Sequence, residues 1–122
     1  MTNPTLVLTA LPALPLVQPG DDLAALITAG LQRAGLQLLA GDVLVVAQKV
    51  VSKAEDRYVQ LESVTPSARA VKLAQSVEKD ARLVELILSE SRAVLRQRPG
   101  ALVVEHRLGF VCANAEIGRA HV

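Results

Sequence analysis

Aromatic side chains are nearly absent from this chain, although about half of its residues are hydrophobic. Hydrophobic residues make up 51% of the 122 positions, whereas aromatic residues make up only 2%. A hydrophobic core must therefore be built from leucine, valine, isoleucine and alanine, which favours aliphatic packing of helices on a sheet. A chain of this length corresponds to one domain and can bury a core of useful size.

Charge and cysteine content limit the partners and the compartment. The net charge is only +1, and a nucleic-acid partner would need a dense face of lysine and arginine, so we expect none. Cys112 is the only cysteine, which excludes a disulfide framework and fits a reducing cytoplasm. The apolar residues 5–17 are interrupted by Pro12 and Pro15 and follow no basic residue, so we expect neither a signal peptide nor a membrane segment.

Short aliphatic runs alternate with segments of helical periodicity. Helix starts are marked by Asp21 or Asp22, by Thr65 before a proline, and by Asp80. Because strict βα alternation is absent, we predict an α/β fold of the mixed α+β kind, with a small mixed β-sheet packed with about three helices. The predicted strands are residues 5–11, 43–47, 58–61, 101–105 and 110–113, and the predicted helices are residues 23–34, 67–77 and 81–97.

Two lysines follow the second aliphatic run. Lys49 and Lys53 are four residues apart, so helical or extended geometry would place them roughly on one side. Two ammonium groups could hold a polyphosphate as point charges, whereas the spacing alone favours an ordinary solvated loop. The sequence contains neither a Walker glycine loop nor a Gly-x-Gly-x-x-Gly motif, so any nucleotide site would be of another kind.

A proline-rich loop at residues 12–20 leads into the first helix. Its backbone N–H groups and the positive end of the helix dipole could bind an anion. Asp21 and Asp22 could form a metal site, but a helix cap with a dipole-favoured carboxylate is the simpler interpretation. His106 has no partner at metal-ligand spacing, and Cys112 lies in an apolar run, so we assign neither a catalytic role.

Four ordered sequence blocks resemble the coenzyme F420-0:L-glutamate ligase family, also called the F420 gamma-glutamyl ligases. The second block ends in Val-Ser-Lys-Ala-Glu, which is specific, and the last reads Gly-Phe-Val-Cys-Ala-Asn-Ala. The resemblance extends over residues 5–115, nearly the whole chain. The four blocks are residues 11–23, 41–55, 79–91 and 109–115.

The resemblance implies that residues 1–115 are the N-terminal part of a larger, two-domain α/β ligase that works as a homodimer. GTP would be the co-substrate, Mg²⁺ or Mn²⁺ would be required, and F420-0 and L-glutamate would be the substrates. A terminal carboxylate of F420-0 would be activated as an acyl phosphate and then attacked by the amine of glutamate. The resemblance places the guanine nucleotide at Leu14, Pro15, Leu16 and Val17 of the proline loop and at Gln48, Lys49 and Lys53.

The sequence departs from the family pattern at two places. Asp56 stands where the family usually has glycine, a change that we expect the loop to tolerate. After Ala115 the family continues Gly-Ile-Asp-x-Ser-Asn, in which the Asp is a metal ligand and the Asn touches the nucleotide. This chain instead ends Glu-Ile-Gly-Arg-Ala-His-Val, and Gly118 stands at the position of the metal-binding Asp. Glycine has no side-chain oxygen to bind a metal, so we assign no metal ligand.

The final heptapeptide, residues 116–122, is what a common short-read sequencing adapter encodes in one frame. We therefore expect these residues to be a non-native tail left by truncation of the reading frame, and we expect the chain alone to have no ligase activity. Two alternatives remain. The chain could be a non-catalytic remnant that binds nucleotide or assembles with a partner, or the N-terminal part of a ligase fused to a flavin reductase domain.

Overall fold

The computed structural model describes residues 3–118. The chain divides into two compact units, Met1–Tyr58 and Val59–Val122. The described residues form four α-helices and a three-stranded sheet, which confirms the predicted combination of helices with a small sheet. Within residues 3–118 no helix has the length and apolar character needed to cross a membrane.

The first unit contains helices α1 (Leu23–Ala34) and α2 (Gln48–Ala54). Helix α1 begins after Asp22, whose side chain accepts a hydrogen bond from the backbone N–H of Ala25 at 3.0 Å. It ends at Gly35, whose φ of 65° is left-handed, a conformation that glycine adopts without steric penalty. Both ends of this helix were therefore correctly predicted from local signals.

Three of the predicted strands are wrong. Residues 5–11 and 43–47 are outside regular structure, and residues 58–61 form no strand either. A strand requires a neighbour to complete its hydrogen-bond ladder, and no strand of the first unit is described that could provide one. The aliphatic side chains of these runs consequently stay exposed, at 81–86% for Val7, Leu8, Val43 and Val45.

The second unit contains two helices and the sheet. Helices α3 (Ala68–Val77) and α4 (Ala81–Ser89) come first. They are followed by strands β1 (Ser91–Arg98), β2 (Ala101–His106) and β3 (Val111–Ala113), which pair antiparallel in the order β1-β2-β3. The predicted strands 101–105 and 110–113 are confirmed to within one residue at their facing ends, and the two strands pair as a hairpin.

The predicted helix over residues 81–97 is wrong in its second half. Helix α4 ends at Ser89, and the element that follows it is the eight-residue strand β1. A tight turn at Gly100, where φ is 82°, folds β1 back onto β2. Pairing with β2, which contains β-branched valines, provides hydrogen-bond partners for the backbone of β1, although the side chains of β1 alone would allow a helix. The predicted cap at Thr65 is also displaced, because Ser67 caps α3 by accepting a hydrogen bond from the N–H of Ala70.

One aliphatic cluster forms the core of the second unit. Strand β2 alternates strictly, so that Leu102, Val104 and His106 face inward. Helix α4 contributes Val84 and Ile87. The buried members of the cluster are Ala70, Ala74, Val77, Val84, Ile87, Leu102, Val104 and Ala115. Among the described residues, no aromatic side chain belongs to this cluster, as the composition predicted.

Glu85 on α4 is expected to make stability depend on pH. The pKa of the Glu85 carboxyl is lowered mainly by a hydrogen bond from the side chain of Ser67. The backbone N–H of Ser67, which donates to the same carboxylate at 2.7 Å, makes a smaller contribution. A carboxylate whose pKa is lower in the folded state stabilises the fold at pH values above the ordinary carboxyl pKa. This stabilisation is lost as the pH falls through the lowered pKa.

Glu85→Gln should reduce the free energy of unfolding by about 0.5–1 kcal/mol at neutral pH, because the carboxylate is largely solvated. The difference from the parent should vanish in acid. Urea denaturation at neutral and at strongly acidic pH measures both values, and a difference that does not depend on pH would contradict this role.

Candidate functional site

The proline loop and helix α2 are joined by a hydrogen bond in the first unit. The backbone N–H of Gly20 donates to the carbonyl oxygen of Ala54 at 2.9 Å. Ala54 is the last residue of α2 and is buried, and Lys53 precedes it. The end of the proline loop is thus held against the end of the helix that carries the lysines.

The first half of the proline loop packs on helix α1. Gly30 is the buried residue of α1, and a Cβ atom built on it would lie 2.9 Å from Cδ2 of Leu14 and 3.3 Å from Cδ2 of Leu11. The absence of a side chain at Gly30 therefore lets Leu14 lie directly on the helix. Leu16 is 83% exposed, Pro15 is exposed, and Val17 is half-buried. The loop therefore combines an anchored residue with an exposed apolar tip.

Asp21 and Asp22 serve the loop and the helix. The carboxylate of Asp21 accepts a hydrogen bond from the backbone N–H of Gln18 at 2.7 Å, and Asp22 caps α1. Both carboxylates thus have backbone partners, and the predicted helix cap is formed by Asp22.

Lys49 and Lys53 lie on a helix, not in an extended segment or a solvated loop. Residues four apart on a helix share a face, so the two ammonium groups lie on the same side of α2. Within residues 3–118, neither lysine has a carboxylate partner within 4.0 Å. Two like charges at this spacing destabilise a helix by a few tenths of a kcal/mol, and an anion bound between them would remove that repulsion.

The other predicted contact, Gln48, is the first residue of α2 and is exposed. The preceding residue, Ala47, makes no side-chain capping hydrogen bond. The structure therefore brings the three predicted residues of this block onto one short helix, and ties the predicted loop residues to it through Gly20.

Asp56 occupies a turn in which glycine would be unstrained. Its φ is 52°, and its N–H donates to the carbonyl oxygen of Lys53 at 3.1 Å. Aspartate is among the side chains that enter the left-handed region most readily, which explains how it can stand where the resembling family has glycine.

Asp56→Val is expected to lower the free energy of unfolding by about 1–2 kcal/mol, because a β-branched side chain is strained at positive φ. Asp56→Gly should stay within about 0.5 kcal/mol of the parent. Thermal denaturation of the two variants gives the comparison. Equal losses for valine and glycine would mean that the carboxylate, not the backbone conformation, matters here.

A buried histidine in the second unit has contacts that sequence analysis missed. His106 is 8% exposed, and its ring stacks on Phe110 with centroids 4.5 Å apart. Its Nδ1 accepts a hydrogen bond from the N–H of Leu108 at 3.1 Å, and its Nε2 lies 3.4 Å from a carboxylate oxygen of Glu90. The sequence signal that could have indicated these contacts is the spacing of His106 and Phe110, which lie on either side of a short hairpin connection. These contacts connect the end of β2 to Phe110 and Leu108 in the hairpin connection and to Glu90, which follows α4.

Cys112 and Asn114 also have structural roles. Burial, with a smaller contribution from the carboxylate of Glu116, raises the pKa of the Cys112 thiol, so it is a poor nucleophile at neutral pH. The side-chain oxygen of Asn114 accepts a hydrogen bond from the N–H of Leu102 at 3.0 Å. Asn114 thereby fixes the segment after β3 to the core.

The described residues do not fit a metal site. Among residues 3–118, no group of three or more His, Cys, Asp or Glu side chains could hold a metal ion together. Glu116 has a φ of 58°, another left-handed position. The predicted non-native tail begins there and continues into residues 119–122, which lie outside the described residues. Its origin stays a prediction that resequencing of the locus tests.

Comparison with known proteins identifies the family. The family model described as F420-0:Gamma-glutamyl ligase matches residues 13–122. The chain belongs to this family of ligases.

Curated relatives support the same assignment. A coenzyme F420:L-glutamate ligase of Methanothermobacter thermautotrophicus is 46% identical over 109 residues, which are 89% of this chain and 43% of the relative. The enzyme of the same name from Methanopyrus kandleri is 42% identical over 118 residues, 97% of this chain and 45% of the relative. A third, from Archaeoglobus fulgidus, is 43% identical over 109 residues, 89% of this chain and 41% of the relative. The chain therefore spans less than half the length of these relatives.

Proposed function

We propose that this chain supplies the nucleotide-phosphate-binding part of a cytoplasmic, homodimeric, GTP-dependent ligase that joins L-glutamate to F420-0. The observation that carries the proposal is the pair of lysines on one face of α2, which have no carboxylate partner among residues 3–118. The relatives are named for glutamate ligation to coenzyme F420, which supports the substrates proposed for this chain.

The lysines would act on the phosphates of GTP. In the proposed reaction, a carboxylate oxygen of F420-0 attacks the γ-phosphorus, the bond to the β–γ bridging oxygen breaks, and GDP leaves. The amine of glutamate then attacks the acyl carbon, inorganic phosphate leaves, and the nitrogen loses a proton. Lys49 and Lys53 would balance the negative charge of the phosphates while the phosphoryl group moves. The exposed side chain of Leu16, in the loop that Leu14 anchors on α1, would cover the nucleotide and exclude water.

A divalent metal would supply further charge neutralisation in the family reaction. The described residues offer no group of ligands for it, so no step is assigned to it here. We therefore propose that the 122-residue chain alone binds nucleotide without forming the amide. The second candidate function is a non-catalytic nucleotide-binding module. The geometry of the two lysines supports it as well as it supports the nucleotide-binding part of a ligase. Fusion to a flavin reductase domain stays a further hypothesis that the downstream gene sequence tests.

The lysine pair provides the test. Lys49→Gln and Lys53→Gln should each weaken GTP binding about threefold and together about tenfold, as expected for partly solvated contacts with phosphate. Isothermal titration calorimetry of the 122-residue chain with GTP measures the affinity. Arg33→Gln, which removes one charge from the last turn of α1, is the matched control and should leave the affinity unchanged.

Two results would contradict the proposal. If the affinity for GTP is unchanged by the double lysine substitution, the phosphates do not bind at α2. Amide formation from GTP, F420-0 and L-glutamate, followed by mass spectrometry, would contradict the proposal that this chain alone does not ligate.

A further inference from the structure

A cleft in the second unit lies between helix α3 and strand β1. Its volume is about 320 Å³, and six residues line it. Four of them, Arg69, Lys72, Leu73 and Ser76, share one face of α3 by their helical spacing. Val94 and Gln97 line the opposite wall on β1. This volume is at the lower end of the range for small-molecule sites.

An irregularity in β1 lets both wall residues face the cleft. Side chains three positions apart point to opposite faces of a regular strand, so Val94 and Gln97 would not share a wall. The pairing register shifts between Val94 and Arg96, which places one extra residue, Leu95, in β1. A bulge of this kind turns the following side chains to the other face. Gln97 consequently lines the same cleft as Val94.

The turn between β1 and β2 is tied to the end of α3, whose side chains form one wall of the cleft. The backbone N–H of Gly100 donates to the carbonyl oxygen of Val77, the last residue of α3, at 2.8 Å. Because Val77 is fully buried, this bond ties the hairpin to the core. The walls of the cleft are therefore held by the strand pairing and by this contact.

The polar groups at the cleft are donors without acidic partners. Neither Arg69 nor Lys72 has a carboxylate within 4.0 Å among the described residues, and no acidic residue lines the cleft. The hydroxyl of Ser76 already donates to the carbonyl oxygen of Leu73 at 2.8 Å. The donors left for a ligand are the Arg69 guanidinium, the Lys72 ammonium and the Gln97 amide. Leu73 and Val94 supply an apolar floor.

We propose that this cleft binds an oxyanion, a carboxylate or a phosphate, attached to an apolar body. A guanidinium binds either oxyanion through paired N–H groups, and an ammonium adds a point charge. The apolar floor favours a ligand whose body displaces water from Leu73 and Val94. The site goes beyond the proposed function and is independent of it, because every lining residue belongs to the second unit.

Chemical-shift titration of the ¹⁵N-labelled 122-residue chain tests the proposal. The probes are phenyl phosphate and phenylacetate as the two anion sources, inorganic phosphate as the anion without an apolar body, and benzyl alcohol as the body without charge. Saturable shifts confined to residues 69–76 and 94–97 are expected with at least one aromatic anion. Its affinity should exceed those of inorganic phosphate and benzyl alcohol about tenfold. The tighter of the two aromatic anions identifies the preferred group.

Substitutions locate the site. Arg69→Gln and Lys72→Gln should each weaken binding of the aromatic anion about threefold, and Gln97→Glu should weaken it at least as much by adding a negative charge. Lys79→Gln removes the same charge outside the cleft and should have no effect. The proposal is overturned if no probe gives saturable shifts, or if Lys79→Gln weakens binding as much as Arg69→Gln does. Arg69, Lys72 and Gln97 are exposed and Lys79 is half-buried, so all four variants should keep the parent circular dichroism spectrum.

Discussion

Ile87→Ala is expected to lower the free energy of unfolding of the second unit by about 3–4 kcal/mol. Ile87 is fully buried in α4 and belongs to the aliphatic cluster that α3, α4 and β2 share. Alanine would remove three carbon atoms and leave a cavity that the neighbouring elements can only partly close. A cluster with no aromatic side chain has no large ring to refill that space.

Urea denaturation followed by circular dichroism measures this loss. The midpoint should fall while the denaturant slope stays constant, because the surface exposed on unfolding hardly changes. Val71→Ala is the matched control, since Val71 is on α3 but is 44% exposed. We expect a change of less than about 0.5 kcal/mol for the control. Similar losses for both variants would contradict the assignment of Ile87 to the core.

His106→Ala is expected to lower the free energy of unfolding by about 2–3 kcal/mol. The substitution removes the ring stacked on Phe110 and the acceptor for the N–H of Leu108. It also leaves the side chain of Glu90, which is 19% exposed, without the imidazole beside it. Glu90 keeps the contact with Arg107 at 3.1 Å, so the connection between β2 and β3 would be weakened without being released completely.

A second substitution at this position separates stacking from hydrogen bonding. His106→Phe keeps an aromatic ring beside Phe110 but loses both polar contacts, so its loss should fall between those of the parent and His106→Ala. Hydrogen exchange at the N–H of Leu108 should speed up in both variants. If exchange speeds up in neither, the Nδ1 hydrogen bond does not hold the hairpin connection.

Local signals in the sequence predicted both ends of α1 and the start of α4. Asp22 and Asp80 accept hydrogen bonds from N–H groups two or three residues later, and Gly35 takes the left-handed conformation that ends α1. Each of these interactions joins residues close in sequence, so the residue types alone indicate them. The family resemblance predicts Lys49 and Lys53 as nucleotide contacts, whereas their spacing alone favoured a solvated loop; GTP-binding measurements test that prediction.

The sheet could not be predicted in the same way. Residues 5–11 and 43–47 are rich in β-branched and aliphatic side chains, yet they form no strand. Residues 91–98 have a helix-compatible pattern, yet they form β1. Whether a segment becomes a strand depends on a partner distant in sequence, which a local pattern does not contain.

The sequence by itself therefore determined the aliphatic nature of the core, the positions of α1 and α3, and the family. The tertiary structure decided which apolar runs pair as strands, that Lys49 and Lys53 lie on one face of a helix, and that a bulge in β1 opens a cleft lined by Arg69 and Lys72. The physical reason is the range of the interactions. Helix caps and periodicity act within a few residues, whereas ladder pairing and the enclosure of a cleft join segments that come together only when the chain is folded.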